Sequence, residues 1–240
     1  MPEWNSARAT AVVHLNDRKE FVIGCDALDS AASKLNAAAQ IRSEIGDLLL
    51  PPANPLNVYS ISFSGNHDEL GQWRGYADDG FGCCIVTKVS AIHKVADVAG
   101  WIVYKPAARA AFAESVINLL NGVTDKDIVQ KTLRAAASFM KHEGFAPEQE
   151  HRLLVFEEGR VVEFRESGKR LVPFIDVLSV TANPLTLPVS KVIVGPGWQI
   201  GGLSGTQRSS HHVILGIRRL LESRKCSPKV DPSVIPYDPR

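Results

Sequence analysis

Apolar positions recur at helical spacing early in the chain. In DALDSAASKLNAAAQIRSEIGDLLL (26–50), Leu28, Ala32, Leu35, Ala39, Ile41 and Ile45 fall near one face. The alanine content and the stop at Pro51-Pro52 predict one amphipathic helix there. VYSISFS (58–64) then alternates and is rich in β-branched and aromatic residues, the signature of a strand. GFGCCIVTKVS (80–90) and GWIVYK (100–105) read as the next two. From Pro106 the period lengthens. AARAAFAESVINLL (107–120) and TDKDIVQKTLRAAASFMKH (124–142) are predicted helices, the second capped by Thr124 and closed by Gly144. Strands return at 151–158, 160–166, 171–177 and 189–196, and SSHHVILGIRRLLESRK (209–225) is a helix capped by Ser209 or Ser210. Residues 226–240 form a proline-broken, extended tail.

Strands that cluster instead of alternating with single helices favour an α+β fold, mostly antiparallel, with flanking helices. No linker-like break divides the chain, and one domain is expected over residues 1–240.

With 45% hydrophobic and 22% charged residues the chain has the composition of a soluble globular protein. A net charge of +1 leaves no basic excess for duplex nucleic acid. The best local candidate for a basic patch, RESGKR (165–170), reads as a hairpin tip. The four cysteines show neither C-x-x-C spacing nor a histidine partner, so neither a metal site nor a disulfide framework is indicated. They are expected to be buried, reduced thiols. The N-terminus lacks signal-peptide character and no apolar run is long enough to span a bilayer, so the reading is a soluble, cytoplasmic protein.

Two stretches invite chemistry. In KHEGFAPEQEHRLLVFEEG (141–159), a strand with period-two geometry would put Glu148, Glu150 and Arg152 on one face. Two carboxylates and a guanidinium together can steady a developing cation or deprotonate an alcohol. They are equally compatible with a plain Glu150–Arg152 ion pair at the start of the strand. In SFSGNHDELGQWRGYADDGFGCCI (62–85), Ser60, Ser62 and Ser64 share one face of the strand, offering hydroxyls to a ligand or to a carboxylate. Trp73, Arg74 and Tyr76 could stack a planar ring, or could pin a loop with Trp73 as core. VIVGPGWQIGG (192–202) reads as a strand end and mobile loop, and the adjacent His211 and His212 diverge by roughly 100° on a helix, too far to share a metal.

Trp4, HLNDRKEF (14–21), SISFSGNHDELGQWRGYADDGFGCCI (60–85), FMKHEGFAPEQEHRLL (139–154), KVIVGP (191–196) and VDPSVIPYDPR (230–240) together resemble a bacterial domain-of-unknown-function family, the one numbered 2971. A more distant similarity is to the ADP-ribosyltransferase superfamily, where a serine-bearing strand and a later E-x-E segment line one NAD cleft. Ser62-Phe63-Ser64 and Glu148-Gln149-Glu150 are similar to these elements in kind and order. That resemblance implies an α+β transferase fold and NAD as substrate, with a toxin or defence role. It implies that Glu150 bonds the 2′-hydroxyl of the nicotinamide ribose and stabilises an oxocarbenium-like transition state. Glu148 would orient or deprotonate an unknown acceptor, Ser62 or Ser64 would hold Glu150, and Trp73, Arg74, Tyr76 and Arg152 would support the cleft. In that superfamily an early strand carries an NAD-anchoring arginine or histidine. Here the sequence starts at what looks like the family's first tryptophan, so that strand is expected to be missing. His14 is the candidate substitute, although HLND reads as a turn in which Asn16 and Asp17 bond backbone. The alternative function is a non-catalytic ligand-sensing or partner-binding module.

Overall fold

In the computed structural model of the chain, residues 7–12, 18–48, 58–93, 96–168, 170–177, 189–199, 207–223 and 228–237 are described. The architecture is α+β with mostly antiparallel strands, as the clustering of strands predicts. Contacts group it into two compact units, one of residues 1–63 and 95–186, the other of residues 64–94 and 187–240. Neither unit is a continuous stretch of chain, so no linker-like composition marks their limits.

The first unit holds a six-stranded sheet built from β1 (Arg8–Ala11), β2 (Val58–Ser64), β4 (Val98–Trp101), β5 (Glu150–Phe156), β6 (Glu163–Ser167) and β7 (Arg170–Asp176). Its order is β4-β5-β2-β1-β7-β6. The charged segment 165–170 is indeed the tip of the β6–β7 hairpin, turned by Gly168 at φ 62. β1, which follows Trp4, pairs antiparallel with β2, Thr10 opposite Ser60. His14, Asn16 and Asp17 lie outside the described residues.

Four helices of this unit share one apolar core: α1 (Arg18–Lys34), α2 (Ala39–Asp47), α5 (Pro106–Leu120) and α6 (Lys126–Ser138). Leu28, Ile41, Ile45, Val116, Leu120, Val129 and Leu133 all pack within it. A second cluster, with Val58 and Leu154 from the strands and Ala135 and Phe139 beside them, joins helix α6 to the sheet. The single helix expected over 26–50 is two helices, and the first begins eight residues earlier. Asn36 adopts φ 50, and the amide of Ala37 bonds the carbonyl of Ala32 at 2.9 Å. Asparagine tolerates this left-handed closing position, and the turn lets both helices address the same core. Helix α6 is capped by Asp125, whose carboxylate accepts from the amides of Asp127 and Ile128, not by Thr124. It ends at Ser138, well before Gly144, because Val103 draws Met140 and Lys141 into strand-like pairing.

The second unit has a three-stranded sheet in the order β3 (Cys83–Thr87), β8 (Val189–Val194), β9 (Lys229–Pro232). Part of the tail read as proline-broken and extended is a strand, parallel to β8. Helices α3 (Leu70–Tyr76), α4 (Val89–Ile92) and α7 (Gln207–Ser223) complete the unit. Because α7 starts at Gln207, neither Ser209 nor Ser210 is its cap. The turn after β8 is packed, not loose. Pro196–Gln199 form a 3-10 turn, and the Trp198 indole N–H donates to the Phe81 carbonyl at 2.6 Å. The thiols also divide: Cys25 is buried, Cys84 half-buried and Cys83 exposed on an edge strand, whereas Cys226 lies outside the described residues.

Candidate functional site

Glu150 opens β5 in the first unit, next to β2 in the sheet, and is 5% exposed. Its main chain is fixed on both sides: its amide donates to the Tyr104 hydroxyl at 2.8 Å, and its carbonyl accepts from the Ile102 amide at 3.0 Å. The carboxylate is surrounded. Arg152 reaches Oε1 through Nε at 2.7 Å and through a terminal nitrogen at 2.6 Å. Lys141 Nζ lies 3.3 Å from Oε2, and Ser62 sits on the adjacent strand, near enough to favour the ionised carboxylate. Burial alone would push this carboxyl up. Arg152, then the Ser62 hydrogen bond and Lys141, outweigh it and hold Glu150 below the ordinary carboxylate range.

Glu148 arrives by another route. Residues 143–148 form a 3-10 segment containing Pro147, and Gln149 follows in the left-handed region at φ 44. The strand begins only at Glu150, so the two glutamates are not neighbours on one strand face, as the spacing suggests. They converge on a common cation: Lys141 Nζ sits 2.6 Å from Glu148. The same ammonium is 2.8 Å from Glu20 of α1, which also lies 3.4 Å from Arg152. Three carboxylates thus share two buried cations. Burial opposes the charge on Lys141, but its hydrogen bonds to Glu148 and Glu20 and the charge of Glu150 raise its pKa above the ordinary lysine value. Lys141 and Glu20 are the members the sequence did not single out. Lys141 sits in a stretch whose period reads as helix, and Glu20 lies far away in sequence.

Ser62, Glu148, Glu150 and Arg152 are therefore brought together. Ser60, expected on the face of Ser62, is 3% exposed, and its hydroxyl has no hydrogen-bond partner among the described residues. Ser64, Trp73, Arg74 and Tyr76 belong to the second unit. There Ser64 closes a turn, donating to the Asn66 carbonyl at 2.8 Å and accepting from its amide at 3.1 Å. Trp73 is 2% exposed, and its indole N–H donates to Asp68 at 2.7 Å. A ring covered to that degree has no open face for stacking, so it serves the core. Asp68 also accepts from the Ser233 hydroxyl at 2.6 Å and the Val234 amide at 2.9 Å, which anchors the tail. Arg74 hydrogen-bonds the Tyr237 hydroxyl, and Tyr76 is 67% exposed.

A cleft in the first unit lies elsewhere, between α1 and α5. It encloses about 470 Å³, and Asp26, Lys34, Arg109, Glu114 and His142 are among its lining residues. None of the candidate residues from the sequence lines it. Among the described residues, no group of three or more His, Cys, Asp or Glu is placed to hold a metal ion, and no helix is long and apolar enough to cross a membrane.

These features define an α+β protein with a buried carboxylate–cation centre at the start of β5. Residues 72–153, about a third of the chain, match a family model described as "Protein of unknown function (DUF2971)". The match runs from α3 into β5 and takes in Lys141, Glu148, Glu150 and Arg152, whereas Ser62 lies before it. No curated protein and no solved structure gives a significant match.

Proposed function

We propose that the sheet face bearing Ser62 and Glu150 is the ADP-ribosyl-transfer site of an NAD-using enzyme. The observation that carries this reading is the buried Glu150 carboxylate, held by Arg152 and Lys141 on the strand next to the one that carries Ser62. The register adds support. Extending the Thr10–Ser60 pairing by two residues on each strand puts Arg8, the first residue of β1, across from Ser62. Arg8 follows Trp4, so it is not on the strand that the resemblance places before that tryptophan, but it supplies a cation beside Ser62. Ser62 and Arg8 are both exposed, so this face is open beside the buried Glu150.

Cleaving the N-glycosidic bond of NAD builds positive charge on the ribose, and a carboxylate held ionised favours that transition state over the ground state. Glu150, kept anionic by Arg152, Ser62 and Lys141, suits this role. Glu148, with a side chain 21% exposed, is the more accessible carboxylate for orienting an acceptor. The test is calorimetric titration with NAD together with turnover by the wild type and by Glu150→Gln. Binding with turnover that the substitution abolishes supports the reading, and absent binding or unaltered turnover rejects it.

One observation favours a second reading, a non-catalytic module. Both oxygens of Glu150 already meet cations and the residue is almost fully covered. On that reading Glu150→Gln lowers the melting temperature and changes no ligand response.

A further inference from the structure

We infer that Lys141 is the positioning residue of this centre: one buried ammonium that bonds both Glu148 and Glu150 and holds them in place together. The inference rests on the transfer-site reading for its catalytic consequence, but its geometry stands on its own. Lys141 is 3% exposed, and its Nζ lies 2.6 Å from Glu148, 3.3 Å from Glu150 and 2.8 Å from Glu20. It is also 4.5 Å from the centre of the Phe145 ring, whose face adds a further cation contact. Two carboxylates drawn to one point repel, and a cation between them relieves that repulsion. Arg152 cannot replace this contact for Glu148. Its guanidinium is committed to Glu150, to Glu20 and to the Ser138 carbonyl at 2.5 Å.

The backbone explains why a lysine stands here. Lys141 is held as an edge residue, its amide donating to the Val103 carbonyl at 3.2 Å. The 3-10 segment from Glu143 then folds the chain back, and Gln149 turns it so that Glu148 meets the side chain seven residues earlier. The charged and titratable groups facing the pair are Glu20 from α1, Lys141, Arg152 and the Tyr104 hydroxyl, with the Ser62 hydroxyl from β2. Lys141 bonds both members of the pair.

The test is Lys141→Gln and Lys141→Arg in the full chain, read by carboxyl-carbon NMR titration of Glu148 and Glu150 and by the pH profile of NAD turnover. In Lys141→Gln one carboxyl is expected to titrate about one unit or more higher than in the wild type. The acidic limb of the rate profile should move with it, and Lys141→Arg should restore most of both shifts. Should Lys141→Gln fail to fold, Glu20→Gln/Lys141→Gln removes a charge of each sign and reports the same titration. Unchanged carboxyl titrations, or an arginine variant that behaves like the glutamine one, would overturn the assignment. A wild type without NAD turnover rejects the transfer reading alone, because the NMR titration still decides the role of Lys141.

Discussion

Replacing Arg152 by methionine tests the centre at its best-connected member. The side chain is 4% exposed and holds Glu150 through two nitrogens, Glu20 at 3.4 Å and the Ser138 carbonyl at 2.5 Å. Methionine fills much of the volume but supplies no donor, so Glu150 is left buried with one cation in place of two. Breaking a buried pair from one side costs about 3–5 kcal/mol. Lys141 remains 3.3 Å from Glu150. It softens the loss, as does proton uptake by the carboxylate, so the low end, about 3 kcal/mol, is expected. At about 2–4 °C per kcal/mol for a chain of this size, the melting temperature should fall by about 6–12 °C. Urea unfolding followed by circular dichroism at neutral pH gives the free energy directly. The companion variant Glu150→Gln/Arg152→Met removes the stranded charge. It should be less destabilised than the two single losses summed, by about 1–3 kcal/mol. A single-variant loss below about 0.5 kcal/mol, or strict additivity, would refute the idea that these side chains form one electrostatic unit.

Three further outcomes are expected. Because the folded-state pKa of Glu150 lies below its unfolded value of 4.5, its contribution is fully present above that value and is lost as pH falls through the folded one. Unfolding free energies measured from neutral to strongly acidic pH should show this acid limb in the wild type, and a Glu150→Gln variant with the same slope would contradict it. Gly24 of α1 faces the backbone of α6 so closely that a Cβ would stand 2.6 Å from the Ala137 Cα. Gly24→Ala should therefore destabilise by about 1–3 kcal/mol in spite of its helix propensity, and a raised melting temperature would disprove the close contact. Cys25 is buried, and desolvation, followed by the charge of Asp26, pushes its thiol up to about 12. A thiol-labelling reagent with peptide mass spectrometry should thus modify exposed Cys83 in the native protein and Cys25 only on unfolding.

Local pattern carried most of the elements. The strand over 58–64 matches β2 residue for residue, and the helix after Pro106 matches α5 within one residue, because alternation and an N-terminal proline are signals held within the segment itself. Where the outcome depended on partners distant in sequence, pattern misled. The break at Asn36 follows from two helices reaching one core, and the early end of α6 follows from Val103 pairing with Met140. The strand β9 exists only because β8 offers an edge. At the candidate site, the serine strand and the glutamate pair were legible as residue types, and β2 and β5 lie side by side in the sheet. Ser64 and Trp73 could not be placed by type alone, since Asn66 and Asp68 compete for them locally. Lys141 and Glu20 carried no motif at all.

The position of Glu148 separates a stabilising cluster from a working one. Lys141 without Glu148 would still have Glu20 and Glu150, two carboxylates within 3.3 Å, enough to satisfy a buried ammonium. The chain nevertheless adds a third, and does so through a left-handed non-glycine residue at Gln149. That conformation costs on the order of 1 kcal/mol or more. The most exposed of the three carboxylates is Glu148, with 21% of its side chain exposed against 6% for Glu150. A network selected for stability alone gains little from an extra carboxylate bought with backbone strain. A centre that must present one carboxylate outward while keeping its neighbour ionised needs that geometry. Gln149→Gly relaxes the backbone without touching a charge. It should therefore leave stability unchanged or higher, while NAD turnover falls as Glu148 loses its fixed place. A loss of stability in that variant would show that the turn serves the fold, and the case for Glu148 as a working group would go with it.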